Sequence, residues 1–90
     1  MEPVTVLNNS TIQGLAASAA GQLSKRGWTI AAVGNFTGRL PETTLFVPTG
    51  ERRTAKLLAH EFPAITSLQS RPHWLPGTGL TLVLTRYWES

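Results

Sequence analysis

Hydrophobic and polar positions follow two different periods along this chain, and the switches between them mark its elements. Val4-Thr5-Val6-Leu7 alternates with β-branched residues and predicts a first strand over 3–7. Asn8-Asn9-Ser10 has turn composition, and beyond it apolar residues recur at three-and-four spacing: Ile12, Leu15, Ala16, Ala19, Ala20 and Leu23. That spacing predicts a helix from 11 to 25 whose alanine-lined face can lie close against a sheet. Ser10 and Gln13 stand at capping-box spacing, while Lys25, Arg26 and Gly27 suit a helix C-terminus. From Trp28 to Gly34 the period returns to two, with Trp28, Ile30 and Ala32 on one side and Thr29, Ala31 and Val33 on the other.

After a loop over 35–42, Thr43 to Val47 predicts a third strand that Pro48 ends. A second helix follows, with Thr49 as its cap and Glu51 in its first turn. Ala55, Leu58, Ala59 and Phe62 make its buried stripe, and Pro63 stops it. Ile65 to Ser70 fits a short edge strand, and 71–79 is a loop broken by Pro72, Pro76, Gly77 and Gly79. Leu80 to Thr85 is the last strand, with Leu80, Leu82 and Leu84 on one face. The order β-α-β-β-α-(β)-β predicts an α+β, two-layer sandwich of the ferredoxin-like or split βαβ kind. In it both helices lie on one face of a mostly antiparallel sheet. The 90 residues make one domain, without internal repeat or linker.

Composition narrows the chemistry. The chain has no Cys and no Asp, and its two histidines are His60 and His73. A thiol nucleophile, a thiolate metal site and Asp-held Mg²⁺ are thereby excluded, and neither metal nor cofactor is expected. A hydrolase would need Ser or Thr with a histidine and a Glu, and no motif organises such a set. His60 and Glu61 are adjacent on a helix and point apart. A non-enzymatic domain is the reading that remains. No run approaches the ~20 apolar residues that cross a bilayer. Met1-Glu2-Pro3, directly before a strand, suggests a domain cut from a longer protein. The formal charge of +3 is a mild positive bias, compatible with an anionic polymer, a lipid surface or an ordinary solvated exterior.

Two sets of residues are candidates for binding. Asn8, Asn9, Ser10, Thr11 and Gly14 place backbone N–H groups and hydroxyls at a helix start, as an anion-binding turn or simply as a cap and turn. Neither a dinucleotide fingerprint nor a Walker loop is present. Asn8, Asn9 and Asn35 also fall in N-x-Ser/Thr triplets, which read as turn residues. The second set is Arg71, His73, Trp74, Arg86 and Trp88. Flat aromatics beside Arg can stack on sugars or bases or anchor a protein partner. The other reading makes Trp74 and Leu75 a lid on a small core and Trp88 a cover for the open sheet face. The element order is also that of a common RNA-binding module, but Thr43 to Val47 lacks a basic lead and alternating aromatics, which speaks against nucleic acid. Self-association through an uncovered edge strand stays open, with Pro63 and Pro72 as edge protection.

Val4-Thr5-Val6-Leu7-Asn8, Ser10-Thr11, Gly14-Leu15-Ala16, Gly27-Trp28-Thr29 and Val33-Gly34-Asn35 together resemble the LytR C-terminal domain family. That family looks like V-x-V-L-N-G-[ST]-G-x-x-G-L-A, a small-residue helix, G-[FWY]-x-V and a G-N loop. Thr43-Thr44-Leu45-Phe46-Val47-Pro48 and Thr54 to Phe62 occupy its next strand and helix. Asn9 stands where the family commonly has Gly, and Thr11 where a second Gly is frequent. The resemblance implies a noncatalytic, extracytoplasmic accessory module of Gram-positive or actinobacterial envelope proteins, carried downstream of a membrane anchor. Its expected partners are peptidoglycan or another wall polymer, or envelope proteins. It implies no catalytic residues and no cofactor.

Overall fold

The computed structural model describes residues 3–75, 79–85 and 88. Among these residues seven elements follow in order: β1 (Val4–Asn8), α1 (Leu15–Lys25), β2 (Ile30–Asn35), β3 (Thr44–Val47), α2 (Arg52–Glu61), β4 (Ser67–Ser70) and β5 (Leu80–Leu84). The expected edge strand is thus real, over 67–70. The strands form one sheet in the order β2-β1-β5-β3-β4.

The two-layer α+β arrangement matches the expectation, but the strand directions do not. β1 runs parallel to both β2 and β5, β3 runs parallel to β4, and only β3 and β5 are antiparallel. The sheet is therefore mostly parallel rather than mostly antiparallel. Nor is either βαβ unit split: β1 and β2 are neighbours, as are β3 and β4, and β5 is inserted between the two units. Two right-handed crossovers related by a half-turn about the sheet normal leave both helices on one face. β5 reads Leu-Thr-Leu-Val-Leu and is buried at every position, as a central strand covered on both sides must be.

Between sheet and helices lies the main core, formed by Val4, Val6, Leu45, Leu80, Leu82 and Leu84 against Ala16, Ala19, Ala20, Leu23, Ala55, Leu58 and Phe62. The C-terminal ends of the helices meet there. Trp28, 2% exposed, donates its indole N–H to Glu61 at 2.9 Å. Arg26 sits over the Phe62 ring, and Trp88 stacks on the same ring at 5.6 Å. On the opposite sheet face, Phe46, Leu75 and Val83 form a smaller cluster with Leu7, Phe36 and Leu40.

Several local expectations change. α1 starts at Leu15 rather than at 11, and Gly14 holds its N-cap position at φ 82°, a conformation that glycine adopts without strain. No capping box forms. The Asn8 carboxamide oxygen accepts from the Ser10 N–H and hydroxyl at 2.9 and 2.6 Å, and Ser10 Oγ accepts from the Ile12 N–H at 3.1 Å. Those bonds satisfy the backbone in a tight turn and stop the helix from extending backward. Ile12, counted on the buried face, is 45% exposed in consequence. A register shift opposite Val4 and Thr5 places Ile30 and Val33 on the helix side, so the strict alternation expected through β2 breaks at Ala31. At α2 the N-cap position is Glu51, without a side-chain cap, instead of Thr49.

Candidate functional site

Two loops cover the sheet face that lacks helices, and the candidate site grows from how they are held. The 71–75 segment is fastened by Arg71. Its backbone N–H donates to Val47 O at 2.9 Å. Its guanidinium donates to Gly79 O at 3.2 Å, to Leu75 O at 3.1 Å and to the Thr81 hydroxyl. A guanidinium presents rigid, divergent donors, so one side chain can bridge both ends of a loop to a strand. Leu75 is thereby pressed onto Phe46 and Val83. Arg71 is the clamp of this loop.

The 36–40 segment between β2 and β3 is held by Asn9. With its amide oriented to satisfy its neighbours, Asn9 donates to Gly38 O at 2.7 Å and Phe36 O at 3.1 Å and accepts from Leu40 N–H at 3.1 Å. Its own backbone N–H donates to Leu84 O at 2.7 Å. The Asn9 carboxamide thus supplies loop contacts that a glycine at this position could not.

The two loops meet through aromatics. Phe36, half-buried, lies with its ring centroid 6.0 Å from that of Trp74. Trp74 is 66% exposed, while Trp28 and Trp88 are buried. Beside Phe36 opens a cleft of about 380 Å³ lined by Asn9, Ser10, Thr11, Thr37, Arg39 and Leu40, among others. Its walls offer hydroxyls, an amide and one guanidinium beside an apolar ring. Arg39 and Thr37 are exposed, so the cleft is wet at its rim.

The sequence candidates therefore separate. Asn9, Ser10, Thr11 and Trp74 come to one surface, joined by Phe36. His73 is exposed beside Trp74 in sequence. Asn8 is occupied inside its turn, also donating to Ile12 O at 2.9 Å, and Gly14 is a backbone device. Trp88 is 8% exposed and on the helix side, where its indole N–H reaches Gln22 Oε1 at 3.3 Å, so it neither joins Trp74 nor covers the open sheet face. Arg86 lies outside the described residues. Phe36, Thr37 and Arg39 were missed. The signal available for them was an aromatic and a cation within a Gly-containing loop after a strand.

Among the described residues, no pair of acid and base is organised around this surface. Among the described residues, no group of three or more His, Cys, Asp or Glu could hold a metal ion. Phe46, the aromatic on β3, is 3% exposed beneath the loops, so the sheet offers no open stacking platform of the kind an RNA-binding sheet needs. Among the described residues, no helix is long and apolar enough to cross a membrane.

Comparison with known proteins agrees with the geometry. A family model described as LytR cell envelope-related transcriptional attenuator matches residues 3–88. The solution structure of the C-terminal domain of RV0431 is similar at 28% sequence identity and a TM-score of 0.64, over 94% of this chain and 72% of that one. No curated protein matches.

Proposed function

The chain belongs to the LytR C-terminal domain family, a noncatalytic, cell-envelope-associated family, and from that premise we propose that it binds wall glycan on the extracytoplasmic side of the membrane. The observation that carries this reading is Trp74, two-thirds exposed yet fixed on a clamped loop against Phe36. Exposing an indole to water is unfavourable by about 25 cal/mol per Å² of apolar surface, and a sugar's C–H face stacked on it recovers that term. The adjoining cleft supplies Asn9, Thr37 and Arg39 for sugar hydroxyls or an N-acyl carbonyl. Pre-anchored loops reduce the ordering entropy that binding would otherwise cost.

The test is sedimentation of the purified domain with insoluble wall sacculi, beside a Trp74→Ala variant. Saturable binding by the parent and at least a tenfold weaker affinity in the variant is expected. Because the other two indoles are buried, a blue shift of the exposed-tryptophan emission should accompany binding. Undiminished binding by the variant would remove Trp74 from the site and the proposal with it.

A second reading, an envelope protein as partner, draws on β2. This edge strand of six residues carries no charge and no proline, and Ala31, Ala32 and Val33 are exposed along it. A partner strand could add to it. At the other edge, Pro63 and Pro72 flank β4. A cross-link from residue 32 to a single stoichiometric protein, with no retention on sacculi, would favour this reading over the glycan one.

A further inference from the structure

A second surface lies at the other end of the sheet. Because β1 and β3 run in opposite directions through their shared neighbour β5, the loops that follow them leave from opposite ends. Beyond the carboxyl ends of the parallel pair β3 and β4 opens a cleft of about 390 Å³. Thr49, Arg52, Gln69, Ser70 and Arg71 line it, together with Gly50 and the Val47, Pro48 and Leu68 side chains. It lies between the carboxyl ends of these two strands and the start of α2. Arg52 and Arg71 are its basic lining residues, the Arg71 guanidinium being engaged by the 71–75 loop, and no acidic residue lines it.

The cleft continues onto α2. Opposite the buried Ala55 and Leu58, the exposed residues Arg53, Lys56, Leu57 and His60 fall at helical spacing on one face, with exposed Arg52 leading from that face to the cleft. Ten residues at about 1.5 Å each make this a linear track of roughly 15 Å. Arg52, Arg53 and Lys56 make no ion pair among the described residues. Of the nearby acids, Glu61 is occupied by the Trp28 indole and Glu51 borders the helix start outside the cleft lining. Unpaired like charges held together on a rigid element are mutually unfavourable, and a polyanion relieves that repulsion.

We infer that this cleft and track bind a phosphodiester-linked polymer, one phosphate seated between Arg52, Ser70 and Thr49 and the next ones passing along Arg53 and Lys56. The occupant is a chain rather than a bilayer, because a recessed cleft admits one group of a flexible polymer and a flat headgroup plane cannot follow it inward. The site is independent of Trp74 and would hold whether or not the glycan proposal does.

The experiment titrates the whole chain with a synthetic poly(glycerol phosphate), followed by calorimetry at low and at fourfold higher salt. With three cations engaged, log affinity should fall with log salt at a slope of about −2, a loss of roughly 15-fold over that interval. The Arg52→Gln, Arg53→Gln, Lys56→Gln variant should lose binding and its salt slope together, while its melting curve stays that of the parent because all three side chains are exposed. Ser70→Leu, which fills the cleft without altering charge, should weaken binding several-fold. Binding unaffected by the triple substitution would overturn the inference, as would none at low salt. Unaltered binding in Ser70→Leu removes the cleft from it. Sedimentation with anionic phosphatidylglycerol vesicles in the absence of polymer binding would make the surface a membrane contact and also overturn it.

Discussion

Replacing Arg71 with Ala tests whether the 71–79 loop is part of the folded core or a free arm. The guanidinium donates to Gly79 O, Leu75 O and the Thr81 hydroxyl, and Thr81 is 1% exposed. A hydrogen bond from a charged donor contributes about 1.5–3 kcal/mol, and bonds sharing one side chain do not add fully. Arg71 is half-exposed, so water replaces part of what is lost. The expected destabilisation is about 2–3 kcal/mol, a large share of the roughly 5–13 kcal/mol available to a domain of this length. Urea unfolding monitored by far-UV circular dichroism reads it directly. At an m-value of about 1 kcal/mol/M the midpoint should fall by about 2–3 M with unchanged slope, and the melting temperature by roughly 10–20 °C. Arg71→Lys should recover only a fraction, since an ammonium is one compact charge that does not span both ends of the loop. Sacculus binding should fall in Arg71→Ala through loosening of Trp74. A variant that unfolds within ~0.5 kcal/mol of the parent while losing all glycan affinity would refute the clamp and make Arg71 a ligand contact.

Two further substitutions probe the supports of the core and the site. Trp28→Phe deletes the 2.9 Å bond to Glu61 and part of a nearly sealed side chain, so a loss of about 2 kcal/mol is expected in the same urea assay, and a change under ~0.5 kcal/mol would contradict it. In Gly38→Ala the new Cβ would lie 2.6 Å from Phe36 Cε2 and 2.9 Å from Cζ, forcing the ring to move. Stability should change by about 1 kcal/mol while sacculus affinity drops several-fold, and unchanged affinity would uncouple Phe36 from the Trp74 surface.

How much was legible in the chain depends on the range of the interaction. Element types came through because periodicity is local: the Ala-rich stripe of α1, the Ala55 and Leu58 face of α2 and the Leu80, Leu82 and Leu84 face of β5 all lie where the pattern puts them. The start of α1 was misread because two hydrogen-bonding schemes compete for the same N–H groups. Ser10 can cap a helix or close a turn on Asn8, and Gly14 at positive φ decides for the turn. At the site, Trp74 was visible as an aromatic in a Pro/Gly loop, but Phe36 and Arg39 gained meaning only once Asn9 drew their loop over the sheet.

By itself the sequence determined the class of fold, the family and the exclusion of thiol and thiolate-metal chemistry, since each follows from residue identity or from spacing along a few turns of chain. Strand order, strand direction and the roles of the charged and aromatic side chains were decided only in three dimensions. Whether β5 enters between β1 and β3 is settled by which apolar faces close over one another, a sum over contacts far apart in sequence. The same sum turned Arg71 from a candidate ligand into a clamp and Trp88 from a surface aromatic into core. A side chain's chemistry is written in the sequence, but whether that chemistry faces a ligand or the protein itself depends on what the fold places beside it.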